Sequence, residues 1–294
     1  MTDSPLTLAG DFTAPSRQDW ETEVLKVLNR RRPEGKELTI EQAMKRLTTT
    51  TVDELVIDPL YTKTDEQPDL GHPGVMPFTR GTSLRTGTIH AWDVTQLHED
   101  GDVAFSNAAV LDDLQRGAIS LWLRVDPDAI AAADVAAVLA GVMPELARLR
   151  VSSRTDQAAA ADALANVWRA SGKSSEVGGS LGLDAIGHAA LSGEAPDFGP
   201  QRAWVATALA EFPKARAIAV DTLVYDDAGA GDVDVLAFAV ATGVEYLRDL
   251  EAAGIDAESV FSQIAFRVPT NADQFMTIAR LRALRRLWAR VGEV

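Results

Sequence analysis

From about residue 107 onward, the sequence repeats one pattern, a short apolar run followed by a longer helical segment. The first run, AISLWLRV at 118–125, is nearly continuous in apolar residues, which is typical of a strand buried on both faces. Four further runs lie at 148–153, 178–186, 215–225 and 263–268. Strands that alternate with helices predict a parallel sheet with helices outside it.

The predicted fold class is α/β, of the (β/α)8 TIM-barrel type, with about five strand–helix units present. The segment between the first two strands, 128–149, is predicted to be a helix that Pro144 interrupts. A closed barrel needs eight units. Two interpretations therefore remain open: the sheet is open, or residues 107–294 form the N-terminal part of a longer barrel.

Residues 1–106 differ in character, because their short apolar stretches are separated by proline, glycine and charged residues. Ser16 with Asp19 and Thr39 with Gln42 match the capping-box pattern, which predicts a helix start at each place. Residues 62–81 contain too much proline and glycine for either regular element. We expect an extended N-terminal arm that lies on the body of its own chain or on a partner subunit.

Composition excludes several classes of function. With 28 basic and 43 acidic side chains, the formal net charge is -15, which disfavours nucleic acid and membrane surfaces as partners. The sequence begins without signal-peptide order, so a cytoplasmic location is expected. The chain has no cysteine, which excludes disulfides and thiolate nucleophiles, and its four histidines show no metal-ligand spacing, so no metal site is expected.

An acidic, glycine-containing stretch, DDAGAGDVD at 226–234, raises the question of a metal or phosphate site. It lacks the ligand alternation and final glutamate of an EF-hand loop, and it lacks both common phosphate-loop patterns. We favour a simpler interpretation, in which Asp227 or Asp232 caps a helix whose first turn attracts carboxylates.

Three stretches, at 70–102, 228–250 and 266–294, together resemble the methylmalonyl-CoA mutases that use adenosylcobalamin. The resemblance rests on PG-x-x-PFTRG, the later AWDV, the AGA that opens a helix, and F-x-TIA-x-LRA-x-R-x-LWA, in this order and spacing. It covers nearly the whole chain and is strongest to the small, non-catalytic chains of the heterodimeric actinobacterial enzymes.

The resemblance implies a fold and a chemistry. Family members interconvert succinyl-CoA and methylmalonyl-CoA through a radical, with the substrate along the axis of a (β/α)8 barrel. A separate C-terminal domain with a D-x-H-x-x-G signature holds the cofactor, and that signature is absent from this sequence. From this comparison we expect the sequence to be an N-terminal fragment or a truncated form of a longer protein, without the cobalamin-binding domain.

The family's substrate-binding positions are altered in this sequence. Where catalytic chains carry three arginines for the CoA phosphates and a tyrosine beside the acyl group, this chain has Ser83, His90, Thr95 and Gly87. Arg80 and Arg85 remain as candidate cations. Because phosphates are held by charge-assisted hydrogen bonds, the resemblance implies poor CoA binding.

The reactive pair is altered as well. Catalytic chains have a Tyr-His pair where this chain has Leu223 and Val224, and an isopropyl group cannot replace a proton-donating imidazole. We therefore expect a structural, catalytically silent subunit that binds no cofactor, paired with a catalytic large subunit that carries adenosylcobalamin. The alternatives are a divergent, active acyl-CoA mutase and a free-standing binding module.

Overall fold

The computed structural model describes residues 15–62, 65, 70–84 and 92–293. The helices are α1 Arg17–Asn29, α2 Ile40–Leu47, α3 Val103–Gln115, α4 Val135–Val138, α5 Gln157–Ala170, α6 Ala185–Ser192, α7 Gly199–Glu211, α8 Leu223–Asp226, α9 Asp232–Ala252, α10 Ala257–Gln263 and α11 Gln274–Val291. The strands are β1 Thr49–Thr50, β2 Val56–Ile57, β3 Thr95–His98, β4 Ser120–Arg124, β5 Arg148–Ser152, β6 Gly178–Leu183, β7 Lys214–Asp221 and β8 Ile264–Arg267. The chain divides into two compact units, residues 1–69 and 70–294.

The first unit contains α1, α2 and a short antiparallel pair, β1 with β2. Ser16 and Asp19 form the capping box of α1, and Thr39 and Gln42 form that of α2, which confirms both predicted helix starts. The Asn29 side chain exchanges two hydrogen bonds with the backbone of Leu38, at 2.8 and 3.2 Å, and so fixes the turn between the helices. Packing of this unit on the body or on a partner stays a prediction.

The second unit contains, among its described residues, a sheet of six parallel strands in the order β3-β4-β5-β6-β7-β8. Spatial order follows chain order, and helices flank the sheet, as in the front part of a (β/α)8 barrel. The predicted α/β fold is confirmed. The strand–helix pattern begins earlier than residue 107, however, because β3 is its first strand. The strand was not predicted, because its sequence, TQLH, is short and mostly polar.

The segment between β4 and β5 departs from the predicted long helix. Only a single 3-10 turn, Ala132–Asp134, and the short helix α4 form there. Gly141 adopts a φ of 85°, which is left-handed, and Pro144 follows three residues later. Neither residue can continue a right-handed helix at that point, so the chain turns towards β5.

The two faces of the sheet have different chemistry. Leu121 and Leu123 of β4 and Leu149 of β5 are fully buried in a core that also holds Leu164 and Trp168 of α5. The alternate residues on these strands are polar or aromatic and face the other way; Trp122, for instance, stands beside Arg150 in the parallel register. We call the face that carries Trp122 and Arg150 the inner face.

Strand β6, GGSLGL, approaches β5 unusually closely. A methyl group at Gly182 would collide with the carbonyl oxygen of Val151, and one at Gly179 with that of Leu149. Gly182 also has a φ of 73°, which side-chain-bearing residues avoid. Glycine at these positions therefore allows the central strands to pack together.

We predict that Gly182→Ala lowers the free energy of unfolding by more than about 4 kcal/mol, because backbone strain and collision combine. Gly172→Ala is a matched control, since Gly172 has a φ of 68° and a methyl group added there would meet nothing within 4 Å. The control should lose only about 1–2 kcal/mol. Urea titration followed by circular dichroism measures both, and equal losses would contradict the close packing of β5 and β6.

Candidate functional site

A cavity of about 240 Å³ lies at the carboxyl ends of the strands of the second unit. Leu97 of β3, Trp122 of β4, Val151 of β5, Gly182 of β6 and Ala219 of β7 contribute to its wall, together with Arg267 at the end of β8. In (β/α) barrels this end of the sheet carries the active site. The cavity is therefore the candidate functional site, and what it can do depends on its polar side chains.

Asp184 is the most enclosed carboxyl group of the cavity wall, with 3% of its surface exposed. It follows β6 and accepts hydrogen bonds from the Gly187 N–H at 3.0 Å, from the Asp221 N–H at 2.8 Å and from the Tyr246 hydroxyl. Burial raises the pKa of Asp184 to about 6, although the bonds from Tyr246 and Gly187 oppose this shift. The carboxyl joins β6, β7, α6 and α9 at one point.

Arg267 crosses the inner face and covers Trp122. Its guanidinium carbon lies 4.2 Å from the centre of the indole ring, within the range of a cation–π interaction. It also forms an ion pair with Asp221. Burial lowers the pKa of Arg267 to about 10, so the guanidinium still carries its charge at neutral pH. The cation is thus engaged by an aromatic ring and a carboxylate of its own chain.

Arg124, at the end of β4, has more carboxylate partners than Arg267. It forms ion pairs with Asp128 at 2.7 Å, Glu99 at 2.8 Å and Asp126 at 3.2 Å. Its pKa is raised, first by the hydrogen bond to Asp128 and also by those to Glu99 and Asp126. Three carboxylates around one guanidinium leave no positive charge for a bound phosphate.

Leu223 and Val224, which the resemblance aligns with the family's reactive pair, lie in the cavity wall. They belong to α8, a single turn that directly follows β7, and the Leu223 N–H is fixed by the Asp221 carboxylate at 3.1 Å. Their side chains are hydrocarbon, so this part of the wall offers neither a proton nor a hydrogen bond.

Of the predicted substrate positions, those that the structure describes do not line the cavity. Thr95 is the first residue of β3, two positions before the cavity-lining Leu97, and does not itself line the cavity. Ser83 and the candidate cation Arg80 are exposed and do not line it. Gly87, His90 and the second candidate cation Arg85 lie outside the described residues.

The acidic, glycine-containing stretch forms an ion pair and a helix start. Gly231 is the N-cap of α9, so the prediction that Asp227 or Asp232 caps this helix is wrong, although Asp232 and Asp234 do lie in the first turn. Arg280 of α11, which is 4% exposed, pairs with Asp232 and, at 3.5 Å, with Asp226. Within the described ranges no three side chains are grouped in a way that could hold a metal ion.

Sequence reasoning missed Asp184, Tyr246 and Arg267. Asp184 offered one signal, since an aspartate directly after a strand and before a helix is a good N-cap, which it is for α6. Tyr246 lies in the middle of α9 and Arg267 at the end of β8. Nothing in their own segments indicates that the fold brings them to Asp184 and Asp221.

The sequential parallel sheet, the flanking helices and the cavity at the carboxyl ends define the class as a partial (β/α) barrel. A model of the methylmalonyl-CoA mutase family matches residues 50–170 and 175–293. The chain therefore belongs to the methylmalonyl-CoA mutase family. Among the described residues, no helix is both long and apolar enough to cross a membrane.

Several relatives are similar over the full chain. The methylmalonyl-CoA mutase small subunit of Propionibacterium freudenreichii subsp. shermanii is 51% identical over 296 residues, which are 100% of this chain and 46% of the relative. The small subunit of Streptomyces virginiae is 40% identical, over 100% of this chain and 48% of the relative. The large subunit of Streptomyces virginiae is 35% identical over only 28% of this chain and 11% of its own length. The chain thus spans about half the length of the small subunits that it matches.

We predict a specific pH dependence for Asp184. Its pKa in the folded protein is about 6, above the unfolded value of about 3.9, so its contribution to stability is complete below about pH 4 and is lost as the pH rises to about 6. The loss amounts to about 3 kcal/mol. Denaturant unfolding of wild type and Asp184→Asn between these pH values measures it, because the variant lacks the titration. Asp162→Asn, an exposed position on α5, is the control and should follow wild type.

We also predict that Arg280→Met lowers the free energy of unfolding by about 3 kcal/mol, because it leaves Asp226 and Asp232 without their cation. Arg285→Met, at an exposed position on the same helix, should change stability by less than about 0.5 kcal/mol. Thermal unfolding compares the two, and similar values would show that the ion pair is not structural.

Proposed function

We propose that the chain is a non-catalytic, structural subunit of an adenosylcobalamin-dependent methylmalonyl-CoA mutase. In this proposal the partner large subunit performs the radical interconversion of succinyl-CoA and methylmalonyl-CoA. The observation that carries the proposal is the position of Leu223 and Val224, which line the cavity where the family's catalytic chains present a hydroxyl group and an imidazole. A cavity wall of leucine and valine cannot assist proton or carbonyl chemistry at that point.

The charges of the cavity support the same proposal. Arg124 and Arg267 are the cations best placed to meet an anionic substrate, and both already have carboxylate partners in the chain. A CoA ester would have to displace these pairs, which costs free energy because the buried Asp126 and the partly buried Asp221 would be left without a cation. Trp122 and Arg267 also contact each other on the inner face, and the resemblance implies that a substrate would run along the barrel axis beside that face.

The described residues do not fit adenosylcobalamin. The cavity volume of about 240 Å³ lies below the ~300–1,000 Å³ that is usual for pockets of drug-sized ligands, and a corrin is larger than those. We therefore assign the cofactor to the large subunit and derive no chemical step through it.

The assembly is likewise a proposal. The relatives that cover this chain completely are named small subunits, whereas the large subunit of Streptomyces virginiae is similar over 28% of it. These names support a heterodimer in which this chain pairs with a catalytic large subunit. Within such a dimer the chain contributes packing surface and not chemistry.

One observation favours the alternative, a divergent acyl-CoA mutase that is itself active. His188 lines the cavity from α6, and an imidazole is the side chain that most often serves as a general acid or base in enzymes. Such an enzyme would need a phosphate-binding cation, and Arg154 at the cavity rim is exposed enough to serve.

The expected outcome of an activity assay separates the two proposals. The purified chain, given adenosylcobalamin and succinyl-CoA, should produce no methylmalonyl-CoA above the protein-free blank. Mixed with a methylmalonyl-CoA mutase large subunit, it should co-elute with that subunit in size-exclusion chromatography. Turnover by the chain alone that His188→Ala abolishes would overturn the silent-subunit proposal and support the active alternative.

A further inference from the structure

Three arginines form a row on the inner face, closer to the amino ends of the strands than the cavity is. Arg150 of β5 stands beside Ser180 of β6, and Ser180 stands beside Arg216 of β7. Arg148 precedes Arg150 by two residues and therefore points to the same face. Adjacent strands are about 4.8 Å apart, so the three guanidinium groups can meet above Ser180. We call Arg148, Arg150 and Arg216 the arginine row.

The row lacks compensating charge. Among the described residues, Asp93 is the carboxylate that pairs with it, at 3.3 Å from Arg148. The hydrogen bonds of the other two arginines are long, 3.4 Å from Arg150 to the Ser120 hydroxyl and 3.5 Å from Arg216 to the Ile264 carbonyl. Each guanidinium has five N–H donors, so most of them have no protein acceptor in the part of the chain described.

This deficit contrasts with many other arginines of the second unit. Arg124, Arg169, Arg202, Arg267 and Arg280 have carboxylate partners, whereas scattered exposed arginines such as Arg154 and Arg286 have no ion pair among the described residues. The chain as a whole carries 15 more negative than positive charges, so acidic residues are not scarce. A cluster of three cations on neighbouring strands with one paired carboxylate is therefore a local concentration of positive charge in an acidic protein.

The electrostatic state of the row agrees with its geometry. Burial lowers the pKa of Arg150, and the neighbouring Arg148 and Arg216 lower it further, while Asp93 acts in the opposite direction. Desolvation by surrounding protein atoms lowers the pKa of Arg216 too, although its surface is open to solvent, and Arg148 adds to this. Arginine does not lose its proton in proteins, so the three charges stay and repel one another.

We propose that the arginine row binds a small, doubly charged oxyanion of the phosphate type. Guanidinium forks match the geometry of such oxyanions and bind them with paired, charge-assisted hydrogen bonds. The Ser180 hydroxyl accepts from the Gly182 N–H at 3.2 Å, and its own hydrogen can point to an anion between Arg150 and Arg216. Arg148 and Arg216 are exposed, so an ion can reach the row from solvent. This site is separate from the cavity and does not depend on the proposed function.

Calorimetric titration of the 294-residue chain with inorganic phosphate tests the proposal, with sodium chloride at matched ionic strength as the reference. We expect saturable phosphate binding and none of chloride. Arg216→Gln should weaken phosphate binding by about tenfold or more, because one charge-assisted fork is lost. The phosphate affinity of Arg216→Lys should lie between those of wild type and Arg216→Gln, since lysine keeps the positive charge but lacks the two-pronged guanidinium. Arg286→Gln, at an exposed position on α11, is the control and should bind as wild type does.

Thermal unfolding provides a second readout. Phosphate stabilises folded proteins in general, so the quantity of interest is the difference between wild type and Arg216→Gln in the same buffer. Phosphate should raise the melting temperature of wild type more than that of the variant. Without phosphate, the variant should be at least as stable as wild type, because a repelling charge is removed. Equal phosphate responses, no binding by wild type, or a variant that fails to fold would each overturn the proposal.

Discussion

The buried carboxyl group of Asp184 is the interaction on which the arrangement of the second unit depends. It sits where β6 ends and accepts hydrogen bonds from the backbone of α6 and β7 and from Tyr246 of α9. The Asp184 N–H in turn donates to the Gln157 side chain at 2.8 Å, which extends the connection to α5. Because burial raises the pKa of this carboxyl to about 6, the same group that orders the cavity wall also makes its stability sensitive to pH.

These contacts fix the strands and helices around the cavity. The chemistry of the cavity then depends on which of its arginines form ion pairs with carboxylates. Arg124 and Arg267 are neutralised by carboxylates of their own chain, and Leu223 and Val224 supply a hydrocarbon wall. The cavity lies where (β/α) barrels carry their active sites, and these four residues of its wall supply neither an unpaired cation nor a proton. The fold of the mutase family is retained, and the features of the site support a structural role.

The sequence allowed the α/β class and most strands to be predicted, because long apolar runs followed by helical patterns have few other solutions. Strand β3 was not predicted, since TQLH has little apolar character. The long helix predicted at 128–149 did not form, and only the short helix α4 precedes Gly141 and Pro144. At the site, the resemblance led to Leu223 and Val224. Asp184, Tyr246 and Arg267 could not be found in the same way, because their importance comes from contacts between residues far apart in the chain, such as Tyr246 with Asp184 at a separation of 62.

The most direct test of the proposal that this chain is catalytically silent is to measure whether its cavity binds an acyl-CoA. Isothermal titration of the chain with a stable thioether analogue of succinyl-CoA, in phosphate buffer that keeps the arginine row occupied, measures this without requiring turnover. We predict no saturable binding, because Arg124 and Arg267 are already paired with carboxylates and the wall at Leu223 and Val224 is apolar. Saturable binding in the micromolar range, weakened by Arg267→Met, would contradict a silent cavity.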